Sequence, residues 1–531
     1  LAKHASGSAA YSAELRFKQG HSEVLVQSNL QGMGLNLPSP MNKAPATSWA
    51  LRYDNSLLEK SLQVERDGQI HPKDQIHVTI DKLAEIKLTR DVSTAEPRVI
   101  QGGISVGLGA GESIPEPSSG VAANINVAYL DVDQWADVLA SMAGGGAATG
   151  KVGVRADAKN AADDYVPNVV ALRAQELLVQ GRKFENIVVG GSREGNTWRA
   201  NMDARQLSGY VEYRQANAAG GSGRLYARLA RLVVAEAQAK EVEKILDEQP
   251  SGIPALDLVV DEFELKGRKL GRVEVEAVNL AAVARKGFEA AREWRLNRFN
   301  VTLPEAKFTA TGLWAENSKI GSNTNDVAGR TIPDQRTTSL DFKLDIADSG
   351  QLLNRFNLKD VVLGGKGKLE GQVSWRGSPL SMNYPSMTGQ FNVNIEKGQF
   401  LKVDPGVGKL LSVLSMQSIM KRLTFDFRDV FSEGFAFDFI RGDVAVDRGI
   451  ASTNNFQMSG VNAAVLIDGK SDIAKETQDL RVVMAPEVNA GAASLLVATA
   501  INPAIGLGSF LAQLLLRQPL IEAVTKEFQV K

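Results

Sequence analysis

The sequence has no cysteine. That excludes disulfides, thiolate metal sites and a cysteine nucleophile. It also lacks an excess of either charge: 60 Lys and Arg stand against 61 Asp and Glu, for a formal net charge of -1, so no global basic field calls for nucleic acid. Histidine is scarce. His4, His21, His71 and His77 are the whole set, and none has the spacing of a metal-binding helix such as H-E-x-x-H. Gly103-Ile104-Ser105-Val106-Gly107 spells G-x-S-x-G, but a Gly/Pro/Ser stretch follows it and not the helix that a nucleophile elbow needs, so it is no elbow. Gly408-Lys409 fails as a phosphate loop, because Val403 stands where its first glycine belongs and Leu410 where Ser or Thr belongs. Gly364-Gly365-Lys366-Gly367 precedes a strand and reads as a turn. Carboxylate pairs such as Asp341 and Asp345 fall on the wet face of a strand. The sequence therefore offers no catalytic residues, no metal ligands and no cofactor motif. Its first residue is Leu1, and Leu1–Ala10 lacks the regions of a signal peptide. The expectation is a fragment or processed product whose export signal or anchor lies upstream.

What the sequence does contain is alternation. Leu340-Asp341-Phe342-Lys343-Leu344-Asp345-Ile346 is the clearest run. Leu369–Trp375, Phe391–Ile395 and Ile125–Tyr129 repeat it. Successive side chains of a strand point to opposite faces, so each run has one apolar and one polar face. Many such strands in series predict a mainly β chain with a large sheet that is apolar on one side. At 531 residues the chain is too long for one compact core, unless it is an extended repeat.

Four segments are expected. Residues 1–146 read as a strand meander, with a long Gly/Pro/Ser loop over Gly102–Gly120. A strand at Ala123–Tyr129 then meets the helix cap Asp131-Val132-Asp133-Gln134-Trp135, with the helix ending near Gly144. Residues 147–338 carry repeated β modules. Gly181-Arg182-Lys183-Phe184, Trp198-Arg199 and Gly209–Tyr213 are echoed by Gly267-Arg268-Lys269-Leu270, Trp294-Arg295 and Gly312-Leu313-Trp314, with an insertion in the second copy. Between the copies, Leu225, Leu229, Leu232 and Val233 give Leu225–Leu246 an amphipathic helical spacing, and Glu316–Arg336 reads as a loop.

In residues 339–487, the strand Leu340–Ile346 leads into a second cap, Asp348-Ser349-Gly350-Gln351. Asp404-Pro405-Gly406 opens a helix over about 405–421. Strands are expected at Leu423–Phe427, Phe435–Phe439, Val444–Val446 and Val465–Ile467, with turns at Asp447-Arg448-Gly449 and Asp468-Gly469. In residues 488–531, Val488–Leu516 carries no charge, and Pro503 splits it into two short apolar helices. Leu495, Leu496, Phe510, Leu511, Leu514 and Leu515 are the candidates there for a buried cap, an interfacial membrane contact or a span.

The C-terminal third also resembles a known family. Trp375-Arg376-Gly377-Ser378-Pro379, Gly398-Gln399-Phe400, Asp404-Pro405-Gly406, Asp429–Asp438, Glu476–Leu480 and Asn502-Pro503-Ala504-Ile505-Gly506 stand in one order. Together they resemble the C-terminal region of the YhdP-like branch of the AsmA-like proteins of Gram-negative bacteria. Leu30–Lys43 and the Gly-Arg-Lys copies resemble its central part. The resemblance implies an elongated, repeating β-groove, a curved antiparallel sheet shaped like a taco with short helices. It implies an anchor in the inner membrane outside this chain, extension into the periplasm, and movement of phospholipids toward the outer membrane.

The physics of such a role is consistent with the sequence. A buried methylene is worth about 0.8 kcal/mol, so the roughly thirty methylenes of a phospholipid cost on the order of 20 kcal/mol in water. An apolar groove removes most of that cost without base, nucleophile or metal. The expected lining is Phe342, Leu344, Val373, Trp375, Phe391, Val393, Phe425, Phe427, Phe435 and Phe437. Phospholipids and a membrane are the expected partners, and protein partners stay open. The competing expectation is a structural or tethering envelope protein of packed β modules that conducts no lipid.

Overall fold

The computed structural model describes residues 4–18, 21–62, 70–94, 96–109, 111–142, 164–179, 181–216, 223–235, 253–280, 293–316, 336–379, 382–401, 435–460, 463–486 and 526–530. The chain divides into two compact units, Leu1–Val233 and Val234–Lys531.

The first unit contains β1 (Ala5–Gly7), β2 (Tyr11–Lys18), β3 (His21–Ser28), β4 (Met33–Leu35), β5 (Leu51–Leu57), β6 (Lys73–Ile80), β7 (Ala84–Asp91), β8 (Arg98–Val106) and β9 (Gly120–Asp131). After α1 (Val132–Met142) come β10 (Val169–Val179), β11 (Arg182–Glu194), β12 (Thr197–Asp203), β13 (Leu207–Arg214) and β14 (Arg224–Val234). β1 pairs with β4 alone. From β2 onward, every other strand pairs with the next in order.

These pairings are antiparallel with one exception, which makes the mainly antiparallel sheet a mixed one. β9 runs parallel to both β8 and β10. Parallel neighbours need a crossover of about a dozen residues or more. The Gly/Pro/Ser stretch supplies the first crossover, and it starts at Gly107, because Gly102–Val106 belongs to β8. α1 lies in the second, capped by Asp131, whose Oδ1 accepts from Gln134 N at 2.9 Å.

The second unit contains β15 (Ala255–Leu265), β16 (Arg268–Leu280), β17 (Glu293–Thr302), β18 (Ala306–Glu316), β19 (Arg336–Ile346), α2 (Ser349–Arg355), β20 (Val362–Arg376), β21 (Thr388–Phe400), β22 (Phe435–Asp447), β23 (Ile450–Gly460), β24 (Ala463–Asp472), β25 (Thr477–Pro486) and β26 (Lys526–Val530). Each strand is antiparallel to the next. The Gly-Arg-Lys echo is a hairpin echo. Gly181 turns β10 into β11, and Lys266-Gly267, both at positive φ, turns β15 into β16. The strand-then-helix unit also recurs: Asp348 caps α2, its Oδ1 accepting from Gln351 N at 2.9 Å.

Three local expectations are corrected. Arg224–Val234 is a strand, where Leu225–Leu246 had a helical spacing. An interval of four residues fits a strand as well as a helix. The register slip at Ala230, opposite Ser208 and Gly209, then turns the next interval into three. Gly364-Gly365-Lys366-Gly367 lies inside β20, and Asp468-Gly469 inside β24. Gly469 is needed there for close approach: a Cβ would stand 2.8 Å from Leu480 Cα. The expected helix over 405–421, the strand Leu423–Phe427, the apolar tail helices and most of the loop Glu316–Arg336 lie outside the described residues.

Candidate functional site

Cα partners in a ladder share a face of the sheet, so register converts the alternation into rows that run across strands. In the second unit one row runs Leu258, Val275, Phe299, Ala310, Phe342, Gly371, Phe391, Val444. The row beside it runs Val260, Val273, Val301, Phe308, Leu344, Leu369, Val393, Gly442. A third joins Leu296, Gly312, Leu340, Val373 and Gly389. No charged side chain interrupts these rows. Phe299, Phe308, Phe342, Leu344, Val373 and Phe391 are each half-buried. Their rings meet across strands, Phe308 stacking on Phe342 at 6.4 Å and meeting Phe299 edge-on at 5.8 Å.

The other face is polar. Asn300 donates to Glu274 at 3.1 Å, Asn392 to Asp443 at 2.8 Å, and Lys343 pairs with Asp345 at 3.2 Å. Arg272, ahead of Asn300, holds the Glu274 carboxyl below the usual carboxylate range.

Both margins of this apolar face are packed. At one end of the strands, Trp294, Trp314 and Trp375 are buried, with Ile253 and Ala277 against the first two, and Trp375 Nε1 donates to Ser378 O at 3.0 Å. At the other end, Leu353 of α2 packs against a cluster containing Phe435, Phe437, Ile440, Val465 and Val482. Arg355 at the end of α2 grips both carboxylate oxygens of Glu305, Nη2 at 2.9 Å, while Nη1 donates to Lys269 O at 2.9 Å. Glu305 is 6% exposed, and Arg355 lowers its pKa.

The structure thus places Phe342, Leu344, Val373, Trp375, Phe391, Val393, Phe435 and Phe437 on one face. Phe342, Leu344, Val373 and Phe391 lie in its half-buried middle. Val393 lies in the second row at 4% exposure, and Trp375, Phe435 and Phe437 lie in the packed margins at 3%, 1% and 4%. Phe435 and Phe437 join the even-numbered Ile440, Val444 and Val446 because the ladder slips one residue at Asp438. Phe425 and Phe427 lie outside the described residues, as do Leu495, Leu496, Phe510, Leu511, Leu514 and Leu515.

The first unit carries an equivalent face that the candidate residues omit. One row crosses from β2 to β14: Ala13, Val26, Tyr53, Val78, Ile86, Ile104, Ala123, Val170, Gly191, Ala200, Val211, Ala227. It too is free of charge. The run Ile76-His77-Val78-Thr79-Ile80 was a legible signal for it. The rows end at the buried pair Asp74–Arg90, where Arg90 Nε and Nη2 donate to the two Asp74 oxygens at 3.0 and 2.5 Å. That contact raises the Arg90 pKa.

Among the described residues, no cluster of His, Asp and Glu is arranged to hold a metal ion, and no helix is long and apolar enough to cross a membrane. The chain is 27% identical over 208 residues to a protein of Escherichia coli (strain K12) named intermembrane phospholipid transporter YhdP. That stretch covers 39% of this chain and 15% of the relative's own length. No solved structure matches the chain. The family model described as YhdP protein matches residues 1–531, and the chain belongs to that family.

Proposed function

We propose that this chain is part of a phospholipid conduit in the periplasm, carrying lipid between the inner and outer membranes. Acyl chains lie over the uncharged rows and the headgroup stays in water. The observation that carries this reading is the run of charge-free rows across strand after strand in each unit. Half-buried side chains in the middle of such rows leave apolar area that a lipid chain can cover, at about 25 cal/mol per Å². The relative's printed name supports phospholipid as cargo, and the face needs no reacting group. In this reading the strands β19 through β25 form the C-terminal groove segment.

The test is a parity comparison on one strand. Val373 is half-buried on the apolar face and Gln372 is exposed on the polar one. Gently purified protein is expected to carry phospholipid detectable by mass spectrometry. Val373→Asp should remove most of it and Gln372→Asp should not, with circular dichroism confirming that both fold. Lipid-free wild-type protein, or equal loss in both variants, overturns the conduit. The packed margins around Trp314 and Phe435 favour a second reading, a tether of β modules with dry interiors, and lipid-free protein would support it.

A further inference from the structure

The margin of the first unit's apolar face ends differently beyond β10. β11 points Ile187, Val189, Gly191 and Arg193 to that face. Arg193 therefore follows the uncharged rows directly, about 7 Å from Gly191 along the strand. Its Cα partner Trp198 lies beneath the guanidinium, 5.5 Å from the ring centroid. Tyr213 is the next partner across. Trp198 and Tyr213 are 37% and 38% exposed.

Arg193 makes no ion pair among the described residues. Its Nε donates to Gly195 O at 3.3 Å, which leaves the terminal nitrogens of the fork uncommitted. Arg199 on the opposite face of the sheet is ion-paired twice, through Nη1 with Glu194 at 2.9 Å and through Nε with Glu212 at 3.2 Å. A planar guanidinium stacked on an aromatic ring binds phosphate oxygens in a two-pronged fashion. Trp and Tyr suit a boundary with one apolar and one wet side. Beside them Gly191, Ala200 and Val211 keep the floor low.

We propose that Arg193, with Trp198 and Tyr213, is a recognition point for the phosphodiester headgroup of a phospholipid whose chains lie over Gly191, Ala200 and Val211. This rests on the conduit reading and adds a headgroup register to it. Lipid would pause here, phosphate on the guanidinium, before moving on.

The experiment uses the full chain and measures binding of dihexanoyl phosphatidylglycerol, dihexanoylglycerol and inorganic phosphate. Arg193→Gln should weaken phosphatidylglycerol about tenfold, the worth of a charged hydrogen-bonded contact, and leave dihexanoylglycerol unchanged. Arg193→Lys should lose less, and Arg199→Gln nothing. Wild-type affinity for phosphatidylglycerol in Arg193→Gln overturns the site while leaving the conduit standing. So does an equal loss for both lipids, which would mean packing and not phosphate. Arg193-dependent binding of inorganic phosphate as tight as that of phosphatidylglycerol overturns the lipid assignment in favour of a free-phosphate site. Wild-type protein that binds neither lipid removes the conduit reading and this one together.

Discussion

The ring of Phe437 occupies the space that a side chain on Gly398 would need. The two are Cα partners across β21 and β22, and a Cβ built on Gly398 would come within 2.3 Å of Phe437 Cζ. Phe437 is 4% exposed in a packed cluster with Phe435 and Ile440, so it has nowhere to move. Gly398→Ala is expected to cost about 1–3 kcal/mol as an overpacking change. Denaturant unfolding would measure it. A neutral result would mean that this margin of the face is loose.

The Arg355–Glu305 contact predicts a pH dependence. Arg355 holds the Glu305 carboxyl below its ordinary range. The ionised form is thus favoured by folding, and its contribution is fully present above the ordinary glutamate pKa of about 4.3. It is lost as pH falls from there through the lowered value in the folded state. Glu305→Gln should remove about 1–3 kcal/mol at neutral pH, and the difference from wild type should shrink on acidification. Unfolding curves at a series of pH values would check both.

Lys43 predicts a local collapse. Its Nζ is buried and donates to the carbonyls of Leu30, Met33 and Ala44 at 2.7, 2.8 and 3.2 Å. Lys43→Met fills the volume but takes the ammonium donor from all three carbonyls, of which Leu30 O keeps Met33 N and Ala44 O keeps Thr47 N. A loss of about 2–4 kcal/mol is expected, with faster protease cleavage in the segment from Asn29 to Ala50.

Asp348→Ala tests the cap of α2. Removing the acceptor for Gln351 N should cost about 1 kcal/mol. Hydrogen exchange should quicken first in Leu352 and Leu353, because α2 has seven residues and little helical stability of its own.

The alternation around Phe342 and the Asp caps at 131 and 348 were legible in the sequence, because period and capping are local properties. The face that Phe435 shares with Val444 was not, since it depends on the register slip at Asp438, which follows from pairing across β22 and β23. Leu225, Leu229 and Leu232 misled for a similar reason: a slipped strand mimics helical spacing over one turn. The row through Val78 and Ile86 was readable in part, but its continuation through Gly191 and Ala200 was hidden. Small residues carry little hydropathy signal, and only register places them on the face. Arg193 was invisible as a candidate, because a lone arginine gains meaning from its neighbours Trp198 and Tyr213 on other strands.

The two parallel pairings of β9 carry a consequence for how the first unit is assembled. Many of the antiparallel neighbours, such as β2 and β3, β6 and β7, and β10 through β13, can zip by short turns, closing small loops at little entropic cost. β9 is paired on both sides only when both its connections have closed, and each is much longer than a hairpin turn. Contacts of that separation form slowly. The expected order is therefore two ribbons, β6 through β8 and β10 through β13, with β9 as the late splice between them, which pulsed hydrogen exchange during refolding would check. Until the splice forms, the row that runs from Ile104 through Ala123 to Val170 is broken in the middle, and each ribbon has an open edge through which neighbouring chains can pair.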